Sequence, residues 1–110
     1  MDANPISLTD LERVVLERIG KESKDLDLDI SNLSIESRKL TGCGSYTYFR
    51  CESSGPQSTA GLRGHIKVPG LGVGLGAVLF LKGRDPYFLE LYTFGDELWE
   101  GESGEFEVVE

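Results

Sequence analysis

Two spacings of apolar residues divide this chain. From residue 7 to 19, Leu8, Leu11, Val14, Val15 and Ile19 recur at the three-to-four-residue interval of a helix with one buried stripe. Asp10, Glu12, Arg13, Glu17 and Arg18 fall on its other side. Ser7, with Asp10 three residues on, offers a cap for the first turn; Ile6 can pack on Leu11 as a hydrophobic staple, and Gly20 offers a left-handed exit. Beyond this helix the interval drops to two, the period of half-buried strands, and stays there nearly to the end. The alternation predicts strands near residues 26–40 (broken at Ser31-Asn32), 45–52, 61–68, 72–82, 86–94 and 105–109. Links such as Ser53-Ser54-Gly55-Pro56 and Pro69-Gly70 are too short for a crossover helix, so neighbouring strands should run antiparallel. The expected fold is α+β: an N-terminal helix packed on an antiparallel sheet of about five or six strands, in a single domain over residues 1–110.

The segment around Lys82 to Pro86 is patterned on both faces, which specifies a register. With Lys82 opposite Pro86 across a Gly83-Arg84-Asp85 loop, the core face sets Leu79 against Leu89, Ala77 against Leu91 and Leu81 against Tyr87. The other face then pairs Phe80 with Phe88, Val78 with Glu90, Gly76 with Tyr92 and Gly74 with Phe94. Rings laid over strand glycines cover bare backbone, so the two patterns support one another.

Charge changes the picture next. The net charge is −8 over 110 residues, but residues 1–84 hold eleven basic and ten acidic side chains, whereas residues 85–110 hold nine acidic and no basic ones. Such an acidic end repels nucleic acid, whose binding needs phosphates neutralised by Lys and Arg, and it speeds encounter with a cationic partner. No apolar run approaches the length of a membrane span. The start, Met1-Asp2-Ala3-Asn4-Pro5, has neither the basic nor the apolar stretch of a secretory signal, so a cytoplasmic location is expected, without membrane association.

Several motifs dissolve when their context is read. Gly72-Val73-Gly74-Leu75-Gly76-Ala77 fits a dinucleotide-binding fingerprint, with Glu90 near the place of a ribose-binding acid. The motif works only where a strand feeds a helix, and here Val78 to Lys82 lead straight to Gly83. Asp25, Asp27, Asp29 and Glu36 match ligand positions of a calcium loop, but Ile30 stands where glycine makes its turn, and Leu26, Leu28 and Ile30 alternate as in a strand. Cys43 and Cys51 have no zinc or redox spacing, so free thiols are expected, with Cys51 packed on the strand face of Thr47 and Phe49. His65 alternates with Arg63 and Lys67 as a basic stripe, and no serine sits in a nucleophile elbow that it could serve. No catalytic residue, metal or cofactor is assigned.

Two surfaces remain. Tyr92 and Trp99, amid Asp96, Glu97, Glu100 and Glu102, have the make-up of an interface anchor that selects a basic partner. Gly72, Gly74 and Gly76 with Glu90, Tyr92 and Phe94 would instead line a groove for a small ligand; Glu90, projecting among Phe88, Tyr92 and Val78, would sit inside it unless Arg63 or Lys67 answers its charge.

From Gly76-Ala77-Val78-Leu79-Phe80 through Leu89-Glu90-Leu91-Tyr92 to Gly95 and Trp99, the chain resembles the closing hairpin of short bacterial proteins with an L-E-x-Y-x-x-G-x-x-x-W signature, some of them associated with toxin immunity. Glu100 stands where that group often has proline. The resemblance implies an immunity protein that blocks a toxin domain by binding it.

The leading expectation is therefore a non-enzymatic binding module of a bacterial cytoplasm that engages a basic protein. The rival is a small-molecule binding protein or small enzyme using the glycine-lined groove. A second copy of the chain is another candidate for the same face, since apolar sheet surface is seldom left in water.

Overall fold

A computed structural model describes residues 7–23, 26, 28–99 and 104–110. Among these residues one α-helix, α1 (Asp10–Glu22), packs on an antiparallel sheet of seven strands: β1 (Ile35–Leu40), β2 (Gly44–Phe49), β3 (Gln57–Gly61), β4 (His65–Lys67), β5 (Leu75–Lys82), β6 (Asp85–Thr93) and β7 (Glu107–Val109). The sheet order is β1-β2-β6-β5-β4-β7, with β3 beside the far end of β5. The expected α+β architecture is present. The molecule measures 21 Å along its shortest axis, the depth of one helix layer on one sheet.

The helix begins and ends three residues later than its apolar stripe suggested. Thr9, not Ser7, is the N-cap: its hydroxyl accepts from the Glu12 N–H at 3.1 Å while the Glu12 carboxylate accepts from the Thr9 N–H at 2.9 Å, a reciprocal box that Asp10 could not close around Ser7. Gly20 lies inside the helix, which Ser23 caps. The buried stripe is Leu11, Glu12, Val15, Leu16 and Ile19, so the helix is rolled: Val14 turns outward at 38% exposure and Glu12 turns inward at 2%. Ile6, the proposed staple, lies outside the described residues.

Glu12 can be buried because three elements answer it. Arg38 on β1 donates through Nε at 3.0 Å and Nη2 at 2.5 Å, and the Thr47 hydroxyl on β2 donates at 2.5 Å. Arg38 also donates to the Ser7 carbonyl at 2.9 Å, tying the helix entry to the sheet. A buried carboxylate with this many donors avoids the cost of an unpaired charge.

The strands differ from expectation at their ends. Residues 26 and 28–34 are not strand: Ile30–Asn32 form a 3₁₀ turn capped by Asp29, and Leu26, Leu28, Ile30 and Leu33 pack against the core from irregular backbone. Of the single strand expected at 61–68, only His65–Lys67 forms β4; β3 precedes it at Gln57–Gly61, and Arg63 lies in the link between them. Its N–H donates to Glu22 at 3.0 Å, and the stripe of Arg63, His65 and Lys67 does not form. Cys51 lies past the end of β2 and is half-buried; it and Cys43 are free thiols.

Between β5 and β6 the register is as expected from Gly76 opposite Tyr92 through Phe80 opposite Phe88. The loop is not. Lys82 pairs with Asp85 and Leu81 with Pro86, which leaves Tyr87 as the extra residue of a bulge. Leu75, Ala77, Leu79, Leu81, Leu89 and Leu91 form the core floor under α1, joined by Thr47 and Phe49 of β2.

Candidate functional site

Because α1 covers one side of the sheet, the opposite side of β2, β6 and β5 faces outward. Strand alternation decides its contents: Tyr46 and Tyr48 from β2, Phe88, Glu90 and Tyr92 from β6, and Val78 and Phe80 from β5. All seven are half-buried, whereas their neighbours along each strand, Tyr87 apart, are buried. The bulge adds Tyr87, whose ring meets Phe88 at 5.2 Å although the two are consecutive. Phe88 is the hub: Phe80 stacks on it at 4.2 Å, Tyr48 lies at 5.3 Å, and Tyr46 meets it edge-on at 5.8 Å. Lys82 caps the rim, its Nζ 4.1 Å from the Tyr87 ring centre.

Glu90 is the one acid within this array. It stands between Phe88 and Tyr92 along its strand, with Tyr46 opposite on β2 and Val78 opposite on β5. Neither Arg63 nor Lys67 pairs with it; the ion pairs among the described residues are Arg13–Asp10 and Arg38–Glu12. Opposite it on β2, the Tyr46 phenol feels its charge. The nearby Glu90 charge raises the Tyr46 phenol above its ordinary 10.0, since ionising would set two negative charges together, and burial and the hydrogen bond to Glu90 push the same way.

The three glycines do not make one groove. At Gly76 the Tyr92 ring lies where a side chain would stand, so the trough is filled from within. Gly74 has φ +96 and backs onto the Ile66 carbonyl of β4, a close approach in a left-handed conformation that only glycine meets without strain; its partner is the Phe94 N–H at 3.2 Å rather than the Phe94 ring. Gly72 donates its N–H to Glu97 at 3.1 Å, beside Val73 at 3.2 Å. The set Gly72, Gly74, Gly76, Glu90, Tyr92 and Phe94 is therefore split between the outer face and the end of the sheet. A cleft of about 920 Å³ does open at that end, but it is lined by Asp10, His65, Lys67, Gly72, Gly74 and Glu107 among others, without Glu90 or Tyr92.

The acidic anchor is also redistributed. Trp99 is 8% exposed and belongs to the core, so it is not an exposed docking residue. It is drawn inward because its backbone N–H donates to the Gly42 carbonyl at 2.8 Å, the Thr93 hydroxyl donates to the Glu97 carbonyl at 2.8 Å, and the Glu97 carboxylate is held by the Gly72 and Val73 amides. Glu97 thus clamps a loop. Among the described members of that set, Tyr92 lies on the outer face, edge-on to Phe94 at 5.5 Å. The Asp96 side chain, Glu100 and Glu102 lie outside the described residues, as do Asp25 and Asp27 of the calcium-like run. The remaining two of that run serve separately, Asp29 as a cap and Glu36 on the exposed side of β1, and among the described residues no three His, Cys, Asp or Glu are placed to hold a metal.

Tyr46, Tyr48 and Tyr87 were not among the expected site residues. The alternation of Tyr46 and Tyr48 with Ser45 and Thr47 was visible in the sequence, but its pairing with β6 was not. No helix among the described residues is long and apolar enough to cross a membrane. Compared with protein families, curated proteins and solved structures, the chain matches none.

Proposed function

We propose that this chain is a non-enzymatic binding module that receives a basic protein partner on the aromatic outer face of its sheet. The observation that carries this reading is the array of Tyr46, Tyr48, Phe80, Tyr87, Phe88 and Tyr92 around Glu90, left uncovered by α1. Contiguous aromatic surface with few charges is the composition of an interface centre, where Tyr and Phe supply large contact area at small entropic cost. The net charge of −8 supports a cationic partner over nucleic acid or a second copy of an equally acidic chain. The resemblance of residues 76–99 to proteins associated with toxin immunity supports a narrower form: a toxin domain bound in a bacterial cytoplasm.

Capture from a lysate of the source cells, followed by purification of the captured protein, tests this. The retained protein should be basic, its affinity should fall between 0.05 and 0.5 M salt as surface attraction is screened over about 10 Å or less, and Phe88→Ser should weaken it about tenfold or more. Retention unchanged by Phe88→Ser, or a wild-type dimer that Phe88→Ser converts to monomer, overturns the reading.

A further inference from the structure

Resting on that docking reading, we propose that Glu90 and the rings around it form a receptor for a single arginine side chain of the partner. The carboxylate lies at the centre of the face, not at its rim, with an aromatic ring on either side along β6 and a third across on β2. Among the described residues no cation pairs with it, and the group its charge acts on is the neutral Tyr46 phenol across on β2. A carboxylate offers about four lone-pair sites, so one hydroxyl leaves room for two further N–H donors.

Two basic residues among those described share this face: Lys82 is turned onto the Tyr87 ring, and Lys39 stands opposite Tyr46 on β1, one strand further from Glu90. Glu12 provides the internal comparison: where this fold keeps a carboxylate for itself, it supplies a guanidinium with two donors, a hydroxyl and a backbone amide. Glu90 has the Tyr46 phenol opposite it on β2 and lacks the guanidinium. The missing group is the one a partner would bring.

Arginine fits better than lysine for two reasons. Its planar fork can donate two parallel N–H bonds to the free side of Glu90, and its faces can lie on Phe88 or Tyr92, which a compact, strongly hydrated ammonium does less well. Both contacts are made in a half-buried setting, where a charge pair is less screened than on open surface.

The test uses the intact chain labelled with ¹⁵N and three blocked tripeptides: glycine-arginine-glycine, the same with lysine, and the same with uncharged citrulline. Amide shifts on titration should converge on residues 44–48 and 88–92, with arginine about fivefold or more tighter than lysine and citrulline without a saturable effect. Glu90→Gln, whose fold the same spectra verify, should lose at least that fivefold. Equal binding of arginine and lysine, undiminished arginine binding by Glu90→Gln, or shifts centred on the cleft of His65 and Glu107 would each overturn the proposal. With the purified basic partner, the two readings separate. Release by Phe88→Ser but not by Glu90→Gln leaves the docking face standing and removes the arginine site, whereas release by neither removes both.

Discussion

Glu12 and Glu90 are carboxylates set among apolar side chains on opposite sides of one sheet. Glu12, 2% exposed, is met by Arg38 from β1, Thr47 from β2 and the Thr9 amide at the helix start. Glu90, half-buried among rings, faces the Tyr46 phenol across the strand pair and has no ion-pair partner among the described residues. The first carboxylate is saturated by the fold and joins three of its elements; the second keeps unused capacity on a surface the fold leaves open. The difference separates a charge that serves stability from one available to something outside the chain.

The same division predicts unequal responses from adjacent residues. Leu89 and Phe88 are neighbours on β6, one fully buried under α1 and the other on the outer face. Leu89→Ala should cost about 3–4 kcal/mol in urea unfolding, as for other buried leucines, and Phe88→Ala about 1 kcal/mol, because its ring already meets water. Comparable losses would mean that the outer face is covered in solution. Glu12→Ala should follow, at about 3 kcal/mol, the low end for breaking a buried pair, since the Arg38 side chain is 21% exposed and can reach some water when abandoned. Glu90→Gln should change stability by less than about 0.5 kcal/mol at neutral pH; a loss as large as that of Glu12→Ala would erase the contrast.

The smallest expected effect lies at alkaline pH and sharpens the same comparison. Tyr46 has its folded phenol pKa raised by Glu90, so the folded state holds its proton more tightly than the unfolded chain does. The resulting stabilisation is complete below the unfolded value near 10 and is lost as pH rises through the raised folded value. Tyr46→Phe should remove this limb of the stability profile, and Glu90→Gln should shrink it, because the largest cause of the shift is gone. Unfolding midpoints followed from pH 8 to above pH 11 would show whether the limb belongs to this pair.

How far the sequence reached can be judged at particular residues. The pairing of Gly76–Phe80 with Phe88–Tyr92 was legible because both faces are patterned, so a shift of one residue would expose leucines and bury Glu90. The turn was not, since a two-residue turn with a bulge and a three-residue loop differ by one pairing; only the bulge brings Tyr87 beside Phe88. Thr9-Asp10-Leu11-Glu12 carries the stronger capping signature and was readable locally. The inward turn of Glu12 was not, because its guanidinium partner lies 26 residues away and its hydroxyl partner 35. Trp99 was placed among acids by its sequence neighbours, yet its seat in the core depends on Gly42 and on the loop at Gly72 that Glu97 holds.

Periodicity by itself determined that one helix and an antiparallel sheet would form, and which side chains along each strand share a face, because side-chain direction follows the local backbone repeat. It also determined that aromatic rings and Glu90 would stand together. Which face of that sheet the helix would cover, which carboxylate would be buried with an arginine and which left open, and whether Trp99 would point in or out were decided only by the tertiary structure. Those outcomes depend on contacts between residues far apart in the chain, which no local repeat encodes.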